Sequence, residues 1–242
     1  MNQPNNVPTD AKGTRAAHGR LKRLRLAVEF AALFVGLPVA FYLWLQPRNI
    51  PVIPVLVLVA LFCLLTLLRS PDFDRHCLWN AAAVRGQLRR IFTVYVSVVL
   101  LLTAFIAAAA PGILLYLPRE QTLLWALIMF VYPALSVYPQ ELIYRAFLFH
   151  RYDPIFPSAS AKILASALAF GFVHIVFRNN IALVMTMVGG LFFAVTYRKS
   201  RSLAAVWLEH ALYGWFIFTV GLGKFFFLGT AALVARMMGH GG

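Results

Sequence analysis

Residues 137–151 place a carboxylate and a guanidinium inside an otherwise apolar segment. Glu141 and Arg145 are four residues apart, so on a helix they share one face and can pair or point into one cavity. Charged side chains at such depth in a membrane segment are costly unless paired, and they usually mark a functional site. Two later histidines, His174 and His210, have similarly apolar sequence neighbours. We therefore expect the fold to bring these ionisable groups together.

These residue types are the ones that peptide-bond hydrolysis requires. A carboxylate beside a histidine in a dry cavity can hold a water molecule and remove its proton. A second histidine, donating through one ring nitrogen, can stabilise the oxyanion of a tetrahedral intermediate. Arg145 would hold the carboxylate in place. The alternatives are a purely structural ion pair between Glu141 and Arg145, and histidines that only bond carbonyl groups in the core.

A metal site is a further alternative for the same residues. One glutamate and two histidines form a ligand set that suits zinc. The sequence has no His-Glu-x-x-His motif, however, and the three candidate ligands come from separate segments. A water-activating glutamate accounts for the residues without a metal. We therefore expect no cofactor, with a divalent metal such as zinc as the alternative.

The composition indicates a membrane protein that positions these groups on apolar helices. Of the 242 residues, 61% are hydrophobic and only 12% are charged, about half the charged fraction of soluble domains. The formal charge of +14 is concentrated in the N-terminal tail and in particular loops. This distribution is typical of contacts with lipid headgroups, and it argues against nucleic acid as a partner. Two cysteines without Cys-x-x-Cys spacing give no support for a zinc thiolate site.

Hydropathy predicts an all-α bundle of about eight transmembrane helices. We divide the chain into a basic cytoplasmic tail at 1–25 and a single transmembrane domain at 26–242, with a catalytic core at 120–220. Pro133 and Pro139 should kink or break the fourth helix just before Glu141. Ser202 should cap the seventh helix. The predicted spans are 26–45, 51–68, 91–110, 121–150, 158–176, 181–197, 202–218 and 225–238.

The basic residues also predict the orientation of the bundle. The tail, the 69–90 loop, the 150–162 loop and the 198–201 turn fall on one side and hold most of the Lys and Arg residues. The positive-inside rule then places both termini in the cytoplasm. We expect an integral membrane protein, of the bacterial inner membrane, with membrane lipids as partners. In this arrangement Glu141, His174 and His210 fall at comparable depth, roughly 12–20 Å from the cytoplasmic face at ~1.5 Å per residue.

Three short motifs resemble those of one protease family. Residues 140–145, Gln-Glu-Leu-Ile-Tyr-Arg, are similar to the Glu-Glu-x-x-x-Arg motif of the CAAX-processing and bacteriocin-processing (CPBP, or Abi) intramembrane proteases. Phe170 and His174 match the Phe-x-x-x-His motif of that family. His210 and Gly214 resemble its third motif, His-x-x-x-Asn or a similar residue. The order and spacing agree, and the similarity spans about residues 120–220.

The resemblance implies an eight-helix fold and a glutamic-type intramembrane endopeptidase. In family terms, the glutamate and His174 activate water, while His210 and its partner form the oxyanion site; Gln140, Arg145, Phe170 and Gly214 support them. The substrate would be a membrane protein or a lipidated peptide, such as a prenylated CAAX protein, a bacteriocin leader or a sorting-signal tail. A catalytically silent member that acts as a membrane scaffold or immunity protein is the alternative, and a small transporter with Glu141 as proton relay is a third class.

The sequence departs from the family pattern at two positions. Gln140 stands where the first glutamate of the pair is usually assigned as the base, and an amide cannot accept the proton. Either Glu141 takes that role or the enzyme is weakened. Gly214 lacks the polar side chain expected at the end of the third motif, where Tyr213, Asn179 or Asn180 are the candidate replacements.

Overall fold

The protein is an all-α bundle in its computed structural model, which describes residues 9–48 and 50–226, with side chains from residue 19 onward. Within these residues, six helices are long and apolar enough to cross a membrane, and a seventh apolar helix is shorter. The predicted polytopic helical architecture is confirmed, while the predicted eighth helix falls almost entirely outside the described residues. The seven helices are α1 (Gly19–Arg48), α2 (Val52–Leu68), α3 (Ala82–Ala109), α4 (Thr122–Arg151), α5 (Ala159–Phe177), α6 (Asn180–Ser200) and α7 (Leu203–Val220).

Serine and asparagine side chains cap the N-termini of three of these helices. The Ser158 hydroxyl accepts the Ala161 N–H at the start of α5, and the Ser202 hydroxyl accepts the Ala205 N–H at the start of α7. The side chain of Asn179 accepts the N–H of Ala182 in the same way before α6. Each cap satisfies a backbone donor that the first helical turn leaves free. The predicted Ser202 cap is confirmed.

Two helices begin earlier than the sequence predicts. The helix that continues as α1 starts at Thr9, inside the predicted tail. Helix α3 starts at Ala82 instead of residue 91, because Arg90 lies in the bundle and not in a loop. Its guanidinium contacts the Glu209 carboxylate of α7 at 3.2 Å, and it also bonds Thr196 of α6. Arg90, which the sequence analysis assigned to a basic loop, therefore links α3 to α6 and α7.

Helix α4 is continuous through both of its prolines. Of the kink or break predicted before Glu141, the break is therefore wrong. Pro133 and Pro139 are accommodated by wider, π-helical turns at Pro133–Val137 and Leu142–Phe147. Pro133 has no N–H to offer the carbonyl of Met129 four residues earlier, and the Trp215 indole N–H of α7 donates to that carbonyl at 2.8 Å. The Trp215 side chain of α7 thus replaces the backbone donor that Pro133 lacks.

Helices α5 and α6 pack closely because glycines lie at their interface. A Cβ atom added at Gly190 would lie 3.2 Å from the Ala167 backbone. A Cβ atom at Gly171 would lie 2.1 Å from the Met187 side chain. Small residues allow this approach in membrane helices. The packing of α5 against α6 places Phe170 and His174 at the wall of a cavity.

Candidate active site

Glu141 lies fully buried between two basic side chains. Its Oε1 is 2.7 Å from Nδ1 of His210 in α7, and its Oε2 is 3.1 Å from Nε of Arg145 one helical turn further along α4. Both Glu141 and Arg145 are completely inaccessible to solvent. A buried carboxylate is stable only with such partners. Because Nδ1 faces a carboxylate, it carries the hydrogen and donates it, whatever the protonation of the other ring nitrogen.

Arg145 is held by further contacts that the sequence did not indicate. Its Nη1 donates to the Ser166 hydroxyl of α5 at 2.8 Å, and that hydroxyl donates to the Tyr144 carbonyl at 2.7 Å. The guanidinium lies over the Phe170 ring, 4.9 Å from its centroid. Arg145 therefore links α4 to α5 and fixes the carboxylate that it faces.

His174 has one ring nitrogen fixed by its own helix. The Phe170 carbonyl lies 2.6 Å from His174 Nδ1. This carbonyl is free to bond the ring because the backbone N–H of His174 bonds Gly171 and Phe172 instead, where α5 tightens into a 3₁₀ turn. Since a carbonyl only accepts, Nδ1 donates, and in the neutral ring Nε2 keeps its lone pair.

His174 and His210 both line one large cavity. The cavity measures about 1580 Å³, and residues from each of α1 to α7 contribute to its wall. The Phe170 ring lies beside both histidines, with centroids 4.9 Å from His174 and 5.4 Å from His210. The Phe193 ring stacks on His210 at 4.5 Å. The aromatic rings hold the two imidazoles at the cavity wall.

Gln140 and Glu141 face different surroundings, although they are neighbours in the chain. Gln140 lines the cavity, its Nε2 donates to the Ser136 hydroxyl at 2.7 Å, and its Oε1 has no hydrogen-bond partner among the described residues. Glu141 is not among the cavity-lining residues. The position of the first motif residue therefore faces the cavity, and that of the second faces His210 and Arg145.

Two polar residues of α4 that belong to none of the three motifs, Tyr132 and Ser136, also line the cavity. The Tyr132 hydroxyl lies 3.0 Å from Nε2 of His210. Tyr132, Ser136 and Gln140 are each four residues apart, which is the spacing of one helix face. Polar residues that recur at this spacing in an apolar segment are the sequence pattern that could have identified Tyr132 and Ser136.

Gly214 packs directly against Tyr132. A Cβ atom added at Gly214 would lie 2.2 Å from Cε1 of Tyr132 and 2.7 Å from its hydroxyl oxygen. The tyrosine ring thus fills the space that a side chain at position 214 would need. Asn179, one of the predicted replacements, instead caps α6 and donates to the carbonyls of Phe177 and Phe225.

The donor set gives no cage for a metal ion. No group of three His, Cys, Asp or Glu side chains in the described part of the chain is arranged to hold one. Glu141 is already bound by His210 and Arg145.

The fold and the site define a membrane protein with a histidine-lined cavity. A comparison of the sequence with known protein families finds a match. Residues 118–216 match the family described as Rce1-like, type II CAAX prenyl endopeptidase Rce1-like. This match confirms the resemblance to the CAAX-processing proteases, and all three motifs lie within it. The family implies protease activity in an integral membrane protein. No curated protein and no solved structure matches the chain.

Proposed function

We propose that the protein is an intramembrane endopeptidase that hydrolyses a peptide bond in a membrane-embedded or lipid-anchored polypeptide. The observation that carries the proposal is the pair of cavity-lining histidines, each fixed through Nδ1. Fixing one nitrogen sets the ring orientation and leaves Nε2 for chemistry.

In this proposal His174 activates the water. Its Nε2 lone pair takes a proton from a water molecule as the water oxygen attacks the substrate carbonyl carbon. The Gln140 carbonyl oxygen accepts a hydrogen bond from the same water and orients it. When the C–N bond breaks, His174 returns the proton to the departing amine, and the other product is a carboxylic acid. Gln140 itself takes no proton, because an amide cannot serve as the base.

His210 stabilises the oxyanion that forms during the attack. Protonated at both nitrogens, it donates Nδ1–H to Glu141 and Nε2–H to the substrate oxygen. Glu141 then acts through His210, stabilising the imidazolium and its orientation, as the carboxylate does in a catalytic triad. This role differs from direct activation of water by Glu141. Oε1 bonds His210, Oε2 is paired with Arg145 at 3.1 Å without a hydrogen bond, and Glu141 does not line the cavity.

Prenylated peptides are the first substrate class to test. The matched family is named for CAAX prenyl endopeptidases. The cavity wall is mainly apolar, with side chains such as Val98, Leu101 and Val188, which suits an isoprenoid or acyl chain. Bacteriocin leaders and sorting-signal tails remain the other classes.

Cleavage of a farnesylated CAAX peptide by the purified protein tests the proposal. We expect His174→Ala to lower kcat by about 10²–10⁴-fold, because general-base catalysis contributes that much. His150→Ala is the matched control, since His150 also lies in an apolar helix but bonds Ser70 and does not line the cavity. Full activity of His174→Ala would remove His174 as the base.

A silent family member is the second candidate, favoured by one observation. Gln140 occupies the cavity-facing position at which the motif has its first glutamate. If the wild type is inert and Gln140→Glu gains activity in the same assay, the natural protein is a silent relative that binds polypeptides. If Gln140→Glu leaves an active wild type active, the amide is compatible with catalysis.

We also propose that the N-terminal end of the bundle faces the cytoplasm. Labelling from outside intact cells with an impermeant maleimide tests this orientation. Ser160→Cys, in the first turn of α5 at the end that carries the basic 150–162 segment, should be protected. Gln121→Cys, at the opposite end of α4, should be labelled; the reverse pattern would invert the bundle. Both positions are exposed.

A further inference from the structure

The space beside Gly214 is shared between two elements of the site. Gly214 lies one helical turn after His210 on α7, and Tyr132 of α4 fills the volume next to it. The nearest approach would be 2.2 Å between a Cβ at position 214 and the tyrosine ring. Real Cβ atoms do not approach carbon so closely. The site therefore holds either the tyrosine or a larger residue at 214, and not both.

The Tyr132 hydroxyl is placed where a substrate oxygen would meet His210. Its oxygen is 3.0 Å from His210 Nε2, and both residues line the cavity. Two donors separated by this distance can hydrogen-bond one oxygen atom at about 2.7–3.1 Å from each. A phenol hydroxyl both donates and accepts, so it can bond His210 in the resting site and turn to a substrate by rotation about its C–O bond.

We infer that the Tyr132 hydroxyl is the second donor of the oxyanion site, supplied by α4 in exchange for a polar side chain at position 214. The inference rests on the proposed protease function and deepens it. Tyr213 also lines the cavity, but its hydroxyl makes no hydrogen bond to His210 or to any other described residue, and its ring packs against Tyr95 and Phe193.

Removal of the hydroxyl alone is the first test. Tyr132→Phe keeps the ring against Gly214, so we expect kcat to fall by about 10²–10³-fold, as for the loss of one oxyanion donor, with KM little changed. Tyr138→Phe is the matched control on the same helix. Its hydroxyl donates to the Leu78 carbonyl and it does not line the cavity. Tyr132→Phe with wild-type kcat would overturn the inference.

An exchange of positions separates donation from packing. Tyr132→Ala should be inactive, and Tyr132→Ala with Gly214→Asn should regain activity, because the amide enters the space that the ring leaves. Tyr132→Ala with Gly214→Val fills that space without a donor and should stay inactive. Equal rescue by asparagine and valine would show that Tyr132 only packs, and would overturn the inference.

The protease function and the oxyanion role of Tyr132 are contradicted by different outcomes. If neither the wild type nor Gln140→Glu cleaves any substrate class, the protease function is wrong and the oxyanion role falls with it. If the wild type is active and the tyrosine variants behave as packing changes, only the oxyanion role is wrong. Thermal unfolding of each variant in detergent shows whether it is folded at the assay temperature.

Discussion

Adjacent residues on α4 serve different purposes because a helix turns by about 100° per residue. Gln140 contacts Ser136 at the cavity wall, while Glu141 points between Arg145 and His210, with no exposed surface. A substitution at 140 therefore changes the surface that a substrate meets. A substitution at 141 changes the support of His210 and the charge balance of the core.

At the residue scale, Glu141→Gln should destabilise the protein strongly. It leaves the Arg145 guanidinium buried opposite a neutral group, and breaking a buried pair costs about 3–5 kcal/mol. Chemical or thermal unfolding in detergent measures the change. Glu29→Gln is the control, because Glu29 pairs with Arg151 while about a third of each side chain is exposed, and should cost at most about 1 kcal/mol. Equal losses for the two variants would contradict the assigned burial effect.

Cys77 gives a prediction for pH. It lies in the connection between α2 and α3 with 1% of its surface exposed, and burial raises the pKa of its thiol above the ordinary value of 9.0. The folded protein holds this proton more tightly than the unfolded chain. The thiol's contribution to the free energy of unfolding is therefore intact below about pH 9 and falls as the pH rises above it.

Thiol labelling measures the state of Cys77 in a Cys63→Ala background. We expect slow modification up to pH 9, with full modification only after unfolding, because the reactive form is the thiolate. Ser160→Cys in a protein without the two native cysteines is the exposed control and should react at once. Rapid modification of Cys77 in the folded protein would contradict its burial.

At the scale of elements, α4 shows why local sequence rules failed. Two prolines predict a kink or a break, but the helix continues, and α7 supplies a donor for a carbonyl that Pro133 leaves free. Trp215 bonds that Met129 carbonyl at 2.8 Å, and Trp207 adds a second bond to the Pro133 carbonyl at the same distance. These partners lie more than seventy residues away in sequence, and no helix propensity contains them. The continuous helix sets Tyr132, Ser136 and Gln140 along one wall.

The Trp215 contact can be measured with a double-mutant cycle. Trp215→Phe leaves the Met129 carbonyl without its donor and should lower stability by about 1–3 kcal/mol. In a Pro133→Ala background the new N–H can bond that carbonyl, so the same substitution should cost less. Trp125→Phe, whose indole bonds the Thr219 hydroxyl, should cost the same in both backgrounds. An unchanged cost of Trp215→Phe would exclude this compensation.

At the scale of the whole molecule, hydropathy and three motifs were sufficient for the helical architecture and for the expectation that the ionisable groups lie close together. They did not predict the contact of Glu141 with His210, because the motifs pair the glutamate with His174. The apolar runs of the helices and the Ser202 cap depend on nearby residues, which explains their agreement with prediction. The start of α3 was misplaced because Arg90 pairs with Glu209, far away in the chain. Tyr132 was missed for the same reason, since its importance depends on the space left by Gly214 on another helix.

All seven helices contribute to the cavity, and in the proposed function a substrate chain would occupy it. Reducing its volume should therefore weaken substrate binding. Val188 of α6 lines the cavity and is exposed, so Val188→Trp should place an indole within the volume. We expect KM for a farnesylated peptide to rise by about tenfold or more, the equivalent of losing about 1.4 kcal/mol of binding. Leu191→Trp is the control, since Leu191 is similarly exposed on the same helix but does not line the cavity. If both variants keep the wild-type KM while folded, the prenyl chain binds elsewhere, whereas a lower kcat at unchanged KM would mean that the indole disturbs the histidines instead.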